Sequence, residues 1–163
     1  MVQGYVQPAN QILADLEGAV FHEYEIGTHA NVAVLIPGII VKIDTVDATN
    51  YQIMEAGIEE DDPLGVLDVE SGELCTHAYS VGDVARVIER GKCLVRLESG
   101  SAAVAPGNPL VCAADGRMIL QATGLLGEQG APPAYALEIM DPALAEKLCL
   151  AFFTGQREAD TAV

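Results

Sequence analysis

The chain has no tryptophan, only 8 Lys and Arg against 24 Asp and Glu, and four cysteines among 163 residues. The shortage of cations leaves a formal net charge of −16, which repels the phosphates of nucleic acid and of anionic membranes. Free DNA, free RNA and membranes are therefore excluded as partners. Cys75, Cys93, Cys112 and Cys149 form no CxxC pair and each lies in or beside an apolar run. A thiol in that setting behaves as a small buried hydrophobe, with a disulfide pair as the main alternative. No stretch of 18 apolar residues is present, and Met1 to Glu17 lacks the charged start and apolar centre of a secretory signal. The expectation is a protein that neither spans a membrane nor leaves the cell by that route.

Signatures of chemistry are missing as well. No GxSxG elbow occurs, and the glycines of LLGEQGAPP fit neither GxGxxG nor GxxxxGK, so neither a nucleophile on a sharp turn nor a phosphate cradle is expected. His22, His29, His77 and Cys75 are the candidate metal ligands besides carboxylates. Only Cys75 and His77 share a ligand-like spacing, and a zinc site needs more than one such pair. Lys92 follows Gly91 as a cofactor-bearing hairpin lysine would, yet its context ERGKCL matches neither the Asp-Lys-Ala of lipoyl domains nor the Met-Lys-Met of biotinyl domains. The expectation is no metal, no cofactor and no enzyme. A small metal-dependent enzyme is the weakest of the readings left open, behind a β-rich binding or assembly module.

What is present is short alternating runs between turn residues, the pattern of a mainly β protein. AVFHEYEI places Val20, His22, Tyr24 and Ile26 on one face and Phe21, Glu23 and Glu25 on the other. Pro37-Gly38 suits a turn with glycine at positive φ, between two apolar runs expected as strands, NVAVLI and IIVKI. YQIME, PLGVLDVE, LVCA, RMILQ, AYALEIM and KLCLAFF extend the series. Gly82-Asp83 opens VARVIER, with Val84, Arg86 and Ile88 on one face. Gly91 is expected to reverse the chain into KCLVRLE, with Cys93, Val95 and Leu97 together. Asp115-Gly116 is the residue pair of a tight hairpin whose central positions both need positive φ. The whole predicts an antiparallel β-barrel or β-sandwich with short strands and long Gly/Pro loops. Three parts are expected: an N-terminal arm over 1–18 carrying a short helix from Asn10, one β domain over 19–155, and a mobile tail over 156–163.

Half of the eight cations, Arg86, Arg90, Lys92 and Arg96, fall within this central stretch. A basic strip in an acidic chain suits an acidic protein partner or a neighbouring copy of the same chain, and these four are the candidate interface; the plain alternative is a solvated strand face answering Glu89 and Glu98.

The order of elements adds a resemblance. Pro37-Gly38 before a valine-containing run, Gly82-Asp83 before a strand, and the run Gly107-Asn108-Pro109-Leu110-Val111 leading to Asp115-Gly116 together resemble the capsid decoration or structural cement proteins of tailed viruses. The likeness covers about residues 30 to 153. The N-terminal arm and the DPALAEK segment have no counterpart in it. The resemblance implies a β-barrel or β-sandwich subunit, a homotrimer, lying on the outside of an icosahedral head in the virion. Its implied partner is the major capsid protein, whose subunits it bridges and stabilises.

Overall fold

The computed structural model describes residues 19–46, 51–58, 62–68, 77–121 and 132–154. Nine strands are found among them: β1 Val20–Glu25, β2 Ile40–Ile43, β3 Ile53–Glu55, β4 Gly65–Leu67, β5 Val84–Leu97, β6 Pro109–Cys112, β7 Met118–Leu120, β8 Ala134–Ala136 and β9 Lys147–Phe153. The expected helix near Asn10 and the expected tail lie outside the described residues.

Strand pairing closes a ring. β5 pairs β7, β7 pairs β6, β6 pairs β8, β8 pairs β9, and β9 returns to β5, giving a five-stranded barrel. All of these ladders are antiparallel except the short β5–β7 contact at Leu97 and Met118. The N-terminal half of β5 leaves the barrel to join an open antiparallel sheet, with β1 on one side and β4, β2 and β3 on the other.

The barrel is packed solid. Cys93, Val95, Leu97, Leu110, Cys112, Met118, Ala134, Ala136, Cys149, Ala151 and Phe153 point inward and are at most 2% exposed. Ile40, Val66 and Ile88 of the open sheet join the same core. Their immediate neighbours Val41, Leu67 and Val87 face a second core, which Leu35, Ile39 and Tyr79 cover from the loops. Adjacent residues of a strand point to opposite faces, so the sheet is buried on both sides. That is why IIV and GVL are unbroken apolar runs.

Gly91 does not reverse the chain. VARVIERGKCLVRL is one 14-residue strand, and the alternation read as two strands is a single strand whose parity shifts. In the β1 ladder Phe21 pairs Ile88 while Val20 pairs Arg90, so one extra residue is inserted at Glu89, a β-bulge. Core-facing positions therefore change from even, at Ile88, to odd, at Cys93. Gly91 follows at φ 120°, and a Cβ there would stand 2.8 Å from the Ala19 Cα. NVAVLI is likewise not a strand. It is a chain of tight turns, with hydrogen bonds such as Val34 N to Asn31 O at 3.1 Å, that lowers Leu35 into the second core.

Other turns match the sequence. Gly38 and Gly82 have φ of 93° and 85°. Asp115 and Gly116, at φ 56° and 71°, form the hairpin between β6 and β7, with the Arg117 N–H donating to the Ala114 carbonyl. KLCLAFF is the last core strand, as expected from its length and its glycine stop.

Candidate partner-binding surface

The bulge and the barrel closure decide where the four cations of β5 go, and they do not form one strip. Arg86 is half-buried, its Cζ 4.4 Å from the centroid of the Phe21 ring on β1. That distance fits a cation over an aromatic face. Arg90 and Lys92, on either side of Gly91, are exposed, and among the described residues neither makes an ion pair.

Arg96 is buried. Its Nε donates to the Pro37 carbonyl at 2.7 Å and its NH1 to Glu146 Oε1 at 2.7 Å, while Arg117 Nε donates to the other oxygen of Glu146. Burial alone would raise the pKa of Glu146. Hydrogen bonds from Arg117 and Arg96, together with their charges, outweigh that and hold the carboxyl below its usual range. The triad fastens the Pro37-Gly38 turn and the segment before β9 to the barrel wall.

The histidines do not converge. His22 Nδ1 lies 3.0 Å from Glu89 Oε2, His29 Nδ1 lies 2.8 Å from the buried Asp44, and His77 meets the Tyr79 ring edge-on at 4.7 Å. Cys75 lies outside the described residues. Among the described residues no group of three or more His, Cys, Asp or Glu is placed to hold a metal. Glu89, the bulged residue, also accepts from the Tyr24 hydroxyl. Burial, then the hydrogen bond to Glu89 and its charge, push the Tyr24 phenol up to about 12. His22 and Tyr24 thus share the face their alternation predicted.

Cys93, Cys112 and Cys149 are buried and in no disulfide. Burial pushes the Cys149 thiol up to about 12 and that of Cys93 higher, so neither supplies a thiolate near neutral pH. Lys92 sits mid-strand opposite Phe152 rather than at a hairpin tip, the position a carrier lysine occupies. The described residues present a solid barrel with Arg90, Lys92 and Lys147 exposed and apolar side chains standing at its surface.

Those apolar side chains are what the sequence reading passed over. Ile139 is 77% exposed and Leu144 97%, on the connection from β8 to β9. AYALEIM carries the signal, since Tyr135, Leu137 and Ile139 alternate with residues that are themselves apolar at Ala134, Ala136 and Met140.

No family model matches the chain, and no curated protein matches it in sequence. Solved structures do match in fold. One is the head fiber gp8.5 N base of bacteriophage phi29, at 13% identity and a TM-score of 0.50, covering 86% of this chain and 98% of that one. Another is a chain of the capsid of Myoviridae phage XM1, at 17% identity and a TM-score of 0.56, covering 91% of this chain and 90% of that one. This chain is thus similar, in fold and over most of its length, to two solved proteins of phage heads.

Proposed function

We propose that the chain is a virion structural protein, a decoration or cement protein that sits on the outside of an icosahedral head and bridges major capsid protein subunits. The observation that carries this reading is the end-to-end fold likeness to a phage capsid chain, 91% of this chain against 90% of that one. The turn motifs resembling decoration proteins support it independently, because they were read from residues and not from shape.

The physics of such a task suits this body. A cement acts by touching several subunits at once, so that the shell opens only when all of those contacts break together. A stiff barrel with a solid core transmits that constraint. Arg90 and Lys92 are the members of the β5 cation set left available to an acidic surface, and we assign them to partner contact, with Arg86 supporting β1 and Arg96 holding the barrel.

The test is reconstitution. Heads of the source virus lacking this chain, mixed with the purified protein, should bind it in a fixed ratio to shell subunits and should then resist heating to a higher temperature. Heads that neither bind the protein nor gain resistance would refute the assignment.

A further inference from the structure

β1 has a strand beside it on one edge only, along most of its length. Its ladder to β5 runs from Val20 to Glu25, and β3 reaches the other edge just at the end, where Ile26 bridges Ile53 and the Gly27 N–H donates to the Ile53 carbonyl at 2.8 Å. Ahead of that bridge the second edge is open among the described residues.

The register tells which backbone groups are left over. Ile26 donates to the Asp83 carbonyl and accepts from the Gly82 N–H, so its backbone faces β5, and alternation turns those of Tyr24 and His22 the same way. Arg86, level with Glu23, instead gives its carbonyl to the Asp68 N–H on the opposite side of β5. The N–H and C=O groups of Phe21 and Glu23 therefore point away from β5. An unpaired edge of this kind is a template for another strand. Neither a kink nor a proline blunts it, because the bulge sits on β5 at Glu89 and VFHEYE contains no proline.

Charge decides what can pair there. Glu23 and Glu25 stand exposed on one face of β1 with Phe21. Glu25 accepts from Gln52 Nε2 at 2.7 Å, while Glu23 makes no ion pair among the described residues. On that face Arg86 is stacked on Phe21, and on the other Glu89 engages His22 and Tyr24. A second copy's β1 would bring four carboxylates onto one face of the joined ladder, where like charges repel. Of the chain's 8 Lys and Arg, Arg157 alone lies outside the described residues, so none of the remaining segments offers cations at alternate positions.

We propose that the outer edge of β1 receives an extended segment of a different protein, one that carries Lys or Arg at alternate positions facing Glu23 and Glu25 and an apolar side chain beside Phe21. Backbone bonds to Phe21 and Glu23 supply the attachment, and the alternate cations select the partner. This surface is separate from the exposed cations of β5 and prefers the opposite charge. It stands whether or not the chain decorates a shell.

The test uses the full chain, without shells, and the synthetic peptide Thr-Lys-Thr-Lys-Thr-Phe-Thr, which sets two lysines and a phenylalanine on one face. Binding should slow hydrogen exchange at the Phe21 and Glu23 N–H groups and leave those of His22 and Tyr24, already in the β5 ladder, unchanged. The same peptide N-methylated at its second lysine and phenylalanine keeps its charge but loses the ladder donors, and should not bind. Nor should a version with glutamate in place of lysine. Glu23→Lys should weaken binding about tenfold, since an attraction becomes a repulsion, with unchanged thermal unfolding. If it lowers the melting temperature, Glu23→Gln replaces it and should weaken binding to a smaller degree. No protection at Phe21 and Glu23, equal binding of the N-methylated or glutamate peptide, or full affinity in the Glu23 variant would each overturn the proposal. Head attachment of the same variant is measured separately, so loss of strand pairing and loss of shell binding are told apart.

Discussion

Arg96 on β5 donates through Nε to the carbonyl of Pro37, 2.7 Å away and 59 residues earlier in the chain. The backbone N–H of Arg96 also donates, to Gly38 O at 2.9 Å, so one residue holds the whole Pro37-Gly38 turn against the barrel.

Replacing Arg96 by alanine leaves the Pro37 carbonyl without its guanidinium donor and Glu146 with one cation instead of two. Removing one partner of a buried ion pair costs roughly 3–5 kcal/mol. The low end applies here, about 3 kcal/mol, because Arg117 still neutralises Glu146. Denaturant titration should register that loss. Lys92→Ala, on the exposed side of the same strand, should change stability by less than about 0.5 kcal/mol.

The same triad makes stability depend on acid. Glu146 has a folded pKa below its ordinary value of 4.5, so the folded state favours the ionised carboxylate. Its contribution is present above the unfolded pKa and is lost as pH falls through the folded one. Thermal unfolding across the acid range should show Glu146→Gln less stable than wild type at pH 7. The two curves should approach each other as pH falls below 4.5, where the unfolded carboxyl begins to take up its proton. A constant gap at every pH would contradict the pairing.

Gly116→Val tests the β6–β7 turn. Gly116 is buried at φ 71°, and a Cβ there would meet Ile40 O at 2.4 Å and Ile39 Cγ2 at 2.5 Å. The substitution therefore adds a clash with the open sheet to the conformational cost of positive φ, itself about 1–2 kcal/mol. Gly107→Ala, also at positive φ but with nothing within 4 Å, should cost only the conformational part. Calorimetry should find the melting temperature of Gly116→Val well below that of Gly107→Ala.

The barrel thiols should be silent until the barrel opens. Cys93, Cys112 and Cys149 are 0–2% exposed, and burial disfavours the thiolate that alkylating reagents attack. Peptide mass mapping after a short alkylation pulse should find these three unmodified in the native protein and fully modified in denaturant. Native labelling at any of the three would mean a looser barrel.

Much of the fold was legible because its turns are chemical. Asp115-Gly116, Pro37-Gly38 and Gly82 announce themselves by the residues that positive φ demands. Strand identity within each half of β5 was legible too, since Cys93, Val95 and Leu97 do share a face. The junction was not. A bulge at Glu89 followed by glycine has the same local signature as a reversal, and only the pairing of β1 with one half and β9 with the other distinguishes them. The candidate interface suffered the same way. Arg96 looks like Lys92 in sequence, four residues apart on one face, yet the turn at Pro37 covers the first and leaves the second in solvent. The outward stripe at Tyr135, Leu137 and Ile139 was hidden by its own strand, where apolar residues on both sides masked which side is exposed.

Arg90→Glu with Lys92→Glu is accordingly the clean probe of partner contact, whereas charge reversal at Arg96 would also break its buried bonds to Pro37 and Glu146 and so destabilise the fold. The double variant should keep the wild-type melting temperature within a few degrees, because exposed substitutions of this kind change stability by about 0.5 kcal/mol or less. Its affinity for an acidic partner surface should fall by at least tenfold, a loss of about 1.4 kcal/mol. Biolayer interferometry against immobilised shells would read this, and equal binding by wild type and variant would remove both cations from the interface.

The most direct measurement is a cryo-electron reconstruction of heads from the source virus. Density matching the five-stranded barrel with its β1–β4 sheet should appear on the outer surface, each copy touching more than one major capsid subunit. Complete heads with no such density outside the shell would contradict the proposed role.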